Sequence, residues 1–223
     1  MSTSRNLAVW LHEALDRFPA DPLRFYLSSN LPETGDVAFS WRDFGTRVNS
    51  DLIGNLGNYI NRVLSFSEKY AGGEMNRPAE LPEDAGAVLE DFKELERRYE
   101  ERMLAPKPRE ALAELLGMGK RANRFFDASA PWKTRKDDPE RARATLYVCS
   151  VLLGSIAYHA APYVPEAIGR LKGFFDGPIA RVSDLEGLPE AYRVSGAEPL
   201  FRRIEEADVL AAEKRLSRAV RGE

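Results

Sequence analysis

The chain has almost no cysteine and almost no histidine. Cys149 is the single thiol in 223 residues, so neither an intrachain disulfide nor a multi-cysteine zinc site can form. A reducing, cytoplasmic setting is the expectation. His12 and His159 are the only histidines, and neither belongs to a recognisable catalytic or metal-binding motif. His159 stands on an apolar stretch and reads as a satisfied core residue. No Gly-rich phosphate loop and no dinucleotide fingerprint occurs. The most apolar run, residues 142–161, contains Arg143, Thr145, Ser150, Ser155 and His159. It is a poor membrane span and reads as a buried bundle helix. The first ten residues lack an apolar core of signal-peptide length. Internal repeats and low-complexity tracts are missing too. Net charge is only −3, which argues against an indiscriminate binder of polyanions.

What is present is a 43% hydrophobic chain, enough for one core and a small appendage. Its charge is uneven. Residues 80–101 hold nine acidic and three basic side chains, whereas 117–145 hold eight basic and four acidic ones. A local positive patch on an acidic protein suits a structured RNA, although a pair of solvated helix faces would give the same composition.

The organising stretch is residues 41–66, WRDFGTRVNSDLIGNLGNYINRVLSF. Phe44, Val48, Leu52, Leu56, Tyr59 and Val63 recur at three- and four-residue steps and form one apolar stripe of a helix. Ser40 is a good N-cap, and Asp43 approximates a capping box with it. Beside the apolar stripe runs a polar one: Asp51, Asn55, Asn58 and Arg62, the last two neighbours at i, i+4. Gly54 and Gly57 each cost about 1 kcal/mol of helix propensity relative to Ala. Such glycines usually mean that a second backbone or a ligand comes close.

Further helices are expected at 83–103, with Val88, Phe92, Leu95 and Tyr99 inward, and at 109–127, with Leu112, Leu115, Ala122 and Phe126 inward. Asp138-Pro139 starts a fourth, with Asp as N-cap and Pro at the first helical position. A short fifth follows Pro165 and turns Ile168, Leu171 and Phe174 inward. Residues 176–198 read as a long connector, and 205–220 as a last amphipathic helix. Near the N-terminus, Leu7, Val9 and Leu11 alternate as a short strand would, and residues 32–35 read as a turn.

Three segments, with the N-terminal residues 1–27 taken as one, carry a family resemblance. RVNSDLIGNLGNYINR resembles the first anticodon-domain helix of methionyl-tRNA synthetases, where Asn58 and Arg62 fall on the anticodon-reading Asn and Arg. Gly54 falls where some members carry another Asn. Met1-Ser2-Thr3-Ser4-Arg5 resembles the Lys-Met-Ser-Lys-Ser signature loop of class I synthetases, with the first Lys missing and Thr3 in place of the second. Asp21-Pro22-Leu23-Arg24-Phe25-Tyr26-Leu27 then matches the stem-contact segment. Between the third and fourth helices, Ala130-Pro131-Trp132 matches the family's Ala-Pro-Trp junction. Pro131 fixes its own φ and restricts Ala130. A stiff, partly exposed indole there suits stacking on an unpaired base, with Lys133, Arg135 and Lys136 beside it for phosphates. A core tryptophan capping a helix pair is the other reading of Trp132.

The resemblance implies an all-α fold: a bundle of about five helices over 40–175, a small α/β stem-contact appendage with the signature-loop remnant over 1–39, and a connector and helix over 176–223. The family's His-x-Gly-His signature and its nucleotide-binding domain have no match. The expectation is therefore a catalytically inactive tRNA-binding portion, needing no cofactor alone, and ATP and Mg2+ only if joined to a catalytic domain or subunit. The implied partner is methionine tRNA with its CAU anticodon, and no membrane. Three functions stay open: a truncated or split part of a synthetase, which the start inside the signature loop favours; a free-standing tRNA-binding protein; or a helical scaffold that no longer binds RNA.

Overall fold

The computed structural model describes residues 9–33, 37–185 and 187–221, with side chains up to residue 214. The signature-loop resemblance at Met1, Ser2, Thr3 and Ser4 and the strand residue Leu7 lie outside them, as does the second half of the expected 32–35 turn. The fold is mostly helical. In chain order come α1 (Leu11–Leu15), α2 (Ala20–Ser29), α3 (Trp41–Arg47), a π-helical segment (Val48–Gly57) and α4 (Asn58–Ala71). There follow β1 (Glu74–Asn76), α5 (Ala85–Leu104), α6 (Pro108–Ser129), α7 (Pro131–Thr134), α8 (Pro139–Ala160), α9 (Pro165–Leu171), β2 (Phe175–Asp176), β3 (Ala191–Val194) and α10 (Glu206–Arg221). Among the described residues no helix is long and apolar enough to cross a membrane.

The organising stretch is one continuous helical path, but not one uniform α-helix. All six stripe residues, Phe44 to Val63, are buried at 1% exposure or less. Between Val48 and Gly57, however, the helix widens to π pitch. That stretch holds Gly54 and Gly57, its two weakest helix formers. Ser40 Oγ does accept the Asp43 amide, at 3.3 Å. The return half of the capping box is replaced: Ser40 N–H donates to the Tyr26 hydroxyl at 3.3 Å. The Asp43 carboxylate accepts from Arg47, Asn30 and Tyr26 instead. Burial pushes its pKa up, but those donors outweigh burial and hold it below the usual carboxylate range.

Helices α5, α6, α8 and α9 match the expected stretches within a few residues. Asp138 Oδ1 accepts the Arg141 amide at 2.9 Å, with Pro139 next in line. Phe174 is only partly buried; Phe175 takes the inward position.

Two expectations are corrected. Leu11 opens helix α1 rather than continuing a strand. The 176–198 connector is not merely a connector: β3 pairs antiparallel with both β1 and β2, with Met75 opposite Tyr192 and Phe175 opposite Val194. These strands, two to four residues long, are too short to give a strand signal in the sequence, and their buried members are only Met75, Phe175, Tyr192 and Val194. The connector is also tied down from α5. Glu96, 1% exposed, accepts from Ser155 Oγ at 2.6 Å and from the amides of Val182 (2.7 Å) and Ser183 (3.0 Å).

The N-terminal segment is pinned to the bundle through α2. Phe25 and Tyr26 are buried, and the Asp21 carboxyl accepts the Ala167 amide at 2.7 Å and the Glu166 amide at 3.3 Å at the start of α9. By contrast Trp10, Leu11, Leu15 and Leu27 are each about half exposed.

Candidate nucleic-acid interface

One face of α4 meets α6 and the α7 segment at four positions spaced four residues apart. Asn58 Nδ2 donates to Asn123 Oδ1 at 3.1 Å. One turn on, the Arg62 guanidinium meets Asp127 at 2.6 Å. One turn further, Phe66 packs edge-on against both Phe126 and Trp132, with centroids 5.4 and 6.1 Å away. At the last step the Arg135 guanidinium lies 4.2 Å from the Tyr70 ring centre. Because α6 also repeats every 3.6 residues, Asn123 and Asp127 stand one turn apart opposite Asn58 and Arg62.

The fold therefore brings Arg62 and Trp132 together. The Arg62 guanidinium carbon is 4.3 Å from the Phe126 centroid and 5.5 Å from that of Trp132. Cation–π contact of this kind contributes about 0.5–1 kcal/mol at exposed sites. Trp132 is half-buried, stacked on Phe126 at 5.8 Å and 24°. The core-tryptophan reading is thus right for one side of the ring, and the partly exposed reading right for the rest. The expected stiff loop is shorter than anticipated. A single residue, Ala130, separates α6 from α7, and Pro131 opens α7 as its first residue. Ala130 is left-handed (φ 41°, ψ 58°), a conformation that costs a non-glycine residue about 1–2 kcal/mol. Thr134 Oγ1 donates to the Ser129 carbonyl at 2.9 Å and braces the turn.

Asn58 itself is exposed and lines an open cleft of ≈ 500 Å³ with Ile53, Gly54, Gly57, Asn61 and Phe201. A Cβ at Gly57 would sit 3.1 Å from the Phe201 ring. The close approach signalled by that glycine is therefore made by an aromatic of the C-terminal segment. Lys120, Arg124, Lys133, Arg135 and Lys136 are exposed on the same helical region, whereas Arg121 is engaged by Asp91 at 2.5 Å. On α5 the acidic stretch pairs partly with its own cations, Glu90 with Lys93 and Glu94 with Arg97. Among the described residues no group of three or more His, Cys, Asp or Glu side chains could hold a metal ion.

Sequence reasoning missed Asn123, Asp127, Phe66, Tyr70 and Phe201. The first two carried a signal: ANRFFD repeats the i, i+4 polar pairing of Asn58 and Arg62 just before Pro131 and Trp132. Phe201 lies in a stretch without periodicity.

Comparison with known proteins gives the family. A family model described as the anticodon binding domain of methionyl tRNA ligase matches residues 77–220, and one described as class I tRNA synthetases (M) matches residues 1–64. A methionine–tRNA ligase of Rubrobacter xylanophilus is 70% identical over 222 residues, which span 100% of this chain and 38% of that protein. One from Thermococcus onnurineus is 34% identical over 94% of this chain and 28% of its own length. The apo structure of Mycobacterium tuberculosis methionyl-tRNA synthetase superposes with a TM-score of 0.79 at 27% identity, covering 88% of this chain and 41% of that one. The chain thus spans well under half the length of the relatives it matches. It belongs to the methionyl-tRNA synthetase family and carries that family's anticodon-binding domain.

Proposed function

We propose that this chain is the tRNA-binding portion of a methionyl-tRNA synthetase and reads the CAU anticodon of methionine tRNA in the cytoplasm. The observation that carries the reading is the convergence of Asn58 and Arg62, one turn apart, with the distant Trp132 along one α4–α6–α7 face. In this reading Trp132 offers the exposed part of its ring to an unpaired base. Asn58 and Arg62 take base edges, Pro131 holds the junction rigid, and Lys133, Arg135 and Lys136 meet phosphates. Residues 1–39 form the link to a catalytic portion, 40–175 the anticodon-binding bundle, and 176–223 a brace behind it. Five helical units make the bundle: residues 41–71 taken as one, then α5, α6, α8 and α9.

The half-exposed Trp10, Leu11, Leu15 and Leu27 favour a part that works with a catalytic portion over a dedicated stand-alone protein. Four large apolar side chains left open on so small a unit suit a surface that another domain covers. ATP and Mg2+ belong to that other portion. The chain alone should accordingly give background ATP–pyrophosphate exchange with methionine, and measurable exchange would remove this reading.

The recognition site is tested by substitution. Arg62→Ala should weaken stem-loop binding and flatten the preference among anticodons, because an Arg fork discriminates base edges by about 1–3 kcal/mol. Lys133→Ala and Lys136→Ala should weaken binding to every anticodon alike, each reducing the slope of log K against log salt by about one. Equal base preference in Arg62→Ala and wild type, or an unaltered salt slope in the lysine variants, would count against these roles.

A further inference from the structure

We propose that the cleft between the C-terminal ends of α5 and α8 is a binding site for a small, neutral aromatic molecule whose hydroxyl group donates to His159 Nε2. The site shares no residue with the α4–α6–α7 face and does not rest on the anticodon-recognition reading.

His159 is 1% exposed, as a core residue should be, but only one of its ring nitrogens is satisfied. Nδ1 lies 2.8 Å from the Ser155 carbonyl oxygen, one turn back on α8. A carbonyl only accepts, so in the neutral ring Nδ1 carries the hydrogen and Nε2 keeps its lone pair. Burial lowers the pKa of the ring, and the Ser155 carbonyl and the Glu96 and Asp184 carboxylates oppose that shift without reversing it. The ring is therefore neutral near pH 7. Nε2, further from the α8 backbone than Nδ1, is buried and has no hydrogen-bonding partner among the described residues. Buried polar atoms are normally paired, so an orphaned acceptor calls for an explanation. The nearby Tyr99 hydroxyl does not supply the partner, because it donates to the His159 carbonyl at 3.2 Å.

His159 is part of the wall of an open cleft of ≈ 530 Å³, with Tyr99, Met103, Leu104, Tyr158 and Pro162. Leu104 is 85% exposed, and Met103 and Tyr158 are also open to solvent. The one charged side chain on this wall, Glu100, is paired with Arg181. Such a wall suits an aromatic ring, which packs edge-on or offset against tyrosine and makes contact with the methionine sulfur. The Nε2 lone pair asks for one donor. An anion would meet both that lone pair and Glu100, and an ether or ketone brings only acceptors. A neutral phenol-like molecule matches ring and lone pair together. The Tyr158 ring stands edge-on to His159, with centroids 5.1 Å apart, and is the side chain that moves to uncover Nε2. Exposed side chains change rotamer within picoseconds to nanoseconds, so the ring is no barrier to entry.

The test uses the full chain, with phenol as the probe and anisole, its methyl ether, as the analogue without the donor. His12 and His159 are the only histidines, so labelling histidine nitrogen gives just two sets of imidazole signals in long-range proton–nitrogen NMR spectra above neutral pH. In the free chain His159 should show a bare Nε2. Phenol should shift that Nε2 signal saturably and leave His12 unmoved. Anisole should bind at least about fivefold more weakly, because it covers the acceptor without pairing it. His159→Phe removes the lone pair and should bring the two affinities to within about twofold. Melting curves verify that this core variant folds. Leu104→Ser, at an exposed position, keeps the fold in any case and should weaken phenol binding at least about threefold by removing apolar wall. An Nε2 signal unmoved by phenol, equal wild-type affinities for phenol and anisole, a phenol preference kept in His159→Phe, or full binding by Leu104→Ser overturns the site. A hydrogen on Nε2 in the free chain overturns the assigned polarity.

Discussion

Replacing Glu96 by alanine should unfold this protein far more readily than any single change on the exposed α4–α6–α7 face. The Glu96 carboxyl is buried and accepts three hydrogen bonds, from Ser155 Oγ and the amides of Val182 and Ser183. Alanine removes every acceptor at once. Each buried donor left unpaired costs about 1–3 kcal/mol, so the two fully buried ones, Ser155 Oγ and the Val182 amide, give about 2–6 kcal/mol. The loss should be largest around residues 176–198, because Glu96 is what ties the Val182–Asp184 turn to α5 and α8. Urea unfolding checks the magnitude through the midpoint at unchanged slope, and limited proteolysis checks the location. Glu96→Gln keeps one acceptor oxygen and should lose less. Equal stability of Glu96→Ala and wild type would contradict the bracing role.

Trp132→Ala should give the largest loss of RNA binding. Stacking of a base on an aromatic side chain contributes about 1–3 kcal/mol, which corresponds to roughly tenfold to a hundredfold in affinity. The ring is also part of the cluster with Phe126, Phe66 and Arg62. Truncation therefore removes a neighbour of the Arg62 guanidinium as well. Trp132→Phe keeps a π face and should retain most of the binding. Since every base has a π face, the loss should fall on all anticodons, unlike the loss of preference expected for Arg62→Ala. Stem-loop titrations of the two variants separate these patterns. Trp132→Ala binding as tightly as wild type would exclude stacking.

Much of this was legible in the sequence because it rested on long periodic elements. The apolar stripe from Phe44 to Val63 and the Asp138-Pro139 start needed only helix period and capping chemistry. The small sheet was not legible. Its strands are two to four residues long, and pairing between residues as distant as Glu74 and Arg193 leaves no local pattern. Glu96 was hidden in an acidic stretch that reads as a solvated face, and only the fold reveals that Ser155 and the 182–183 amides converge on it. At the site, the resemblance singled out Asn58, Arg62 and Trp132, whereas Asn123 and Asp127, an i, i+4 polar pair in the sequence, are revealed as their partners only once α6 is laid against α4. The π pitch of residues 48–57 has no counterpart in side-chain spacing, beyond the two glycines that weaken the α-helix there.

The central claim is that this face reads an anticodon. It is tested most directly by equilibrium binding of the wild-type chain, at one fixed salt concentration, to a CAU stem-loop and to stem-loops with each anticodon base changed in turn. The account predicts a loss of roughly tenfold or more for at least the bases that contact Asn58 and Arg62, since a mismatched base costs about 1–3 kcal/mol. Equal affinity for all of the stem-loops, or no binding to any, would contradict it.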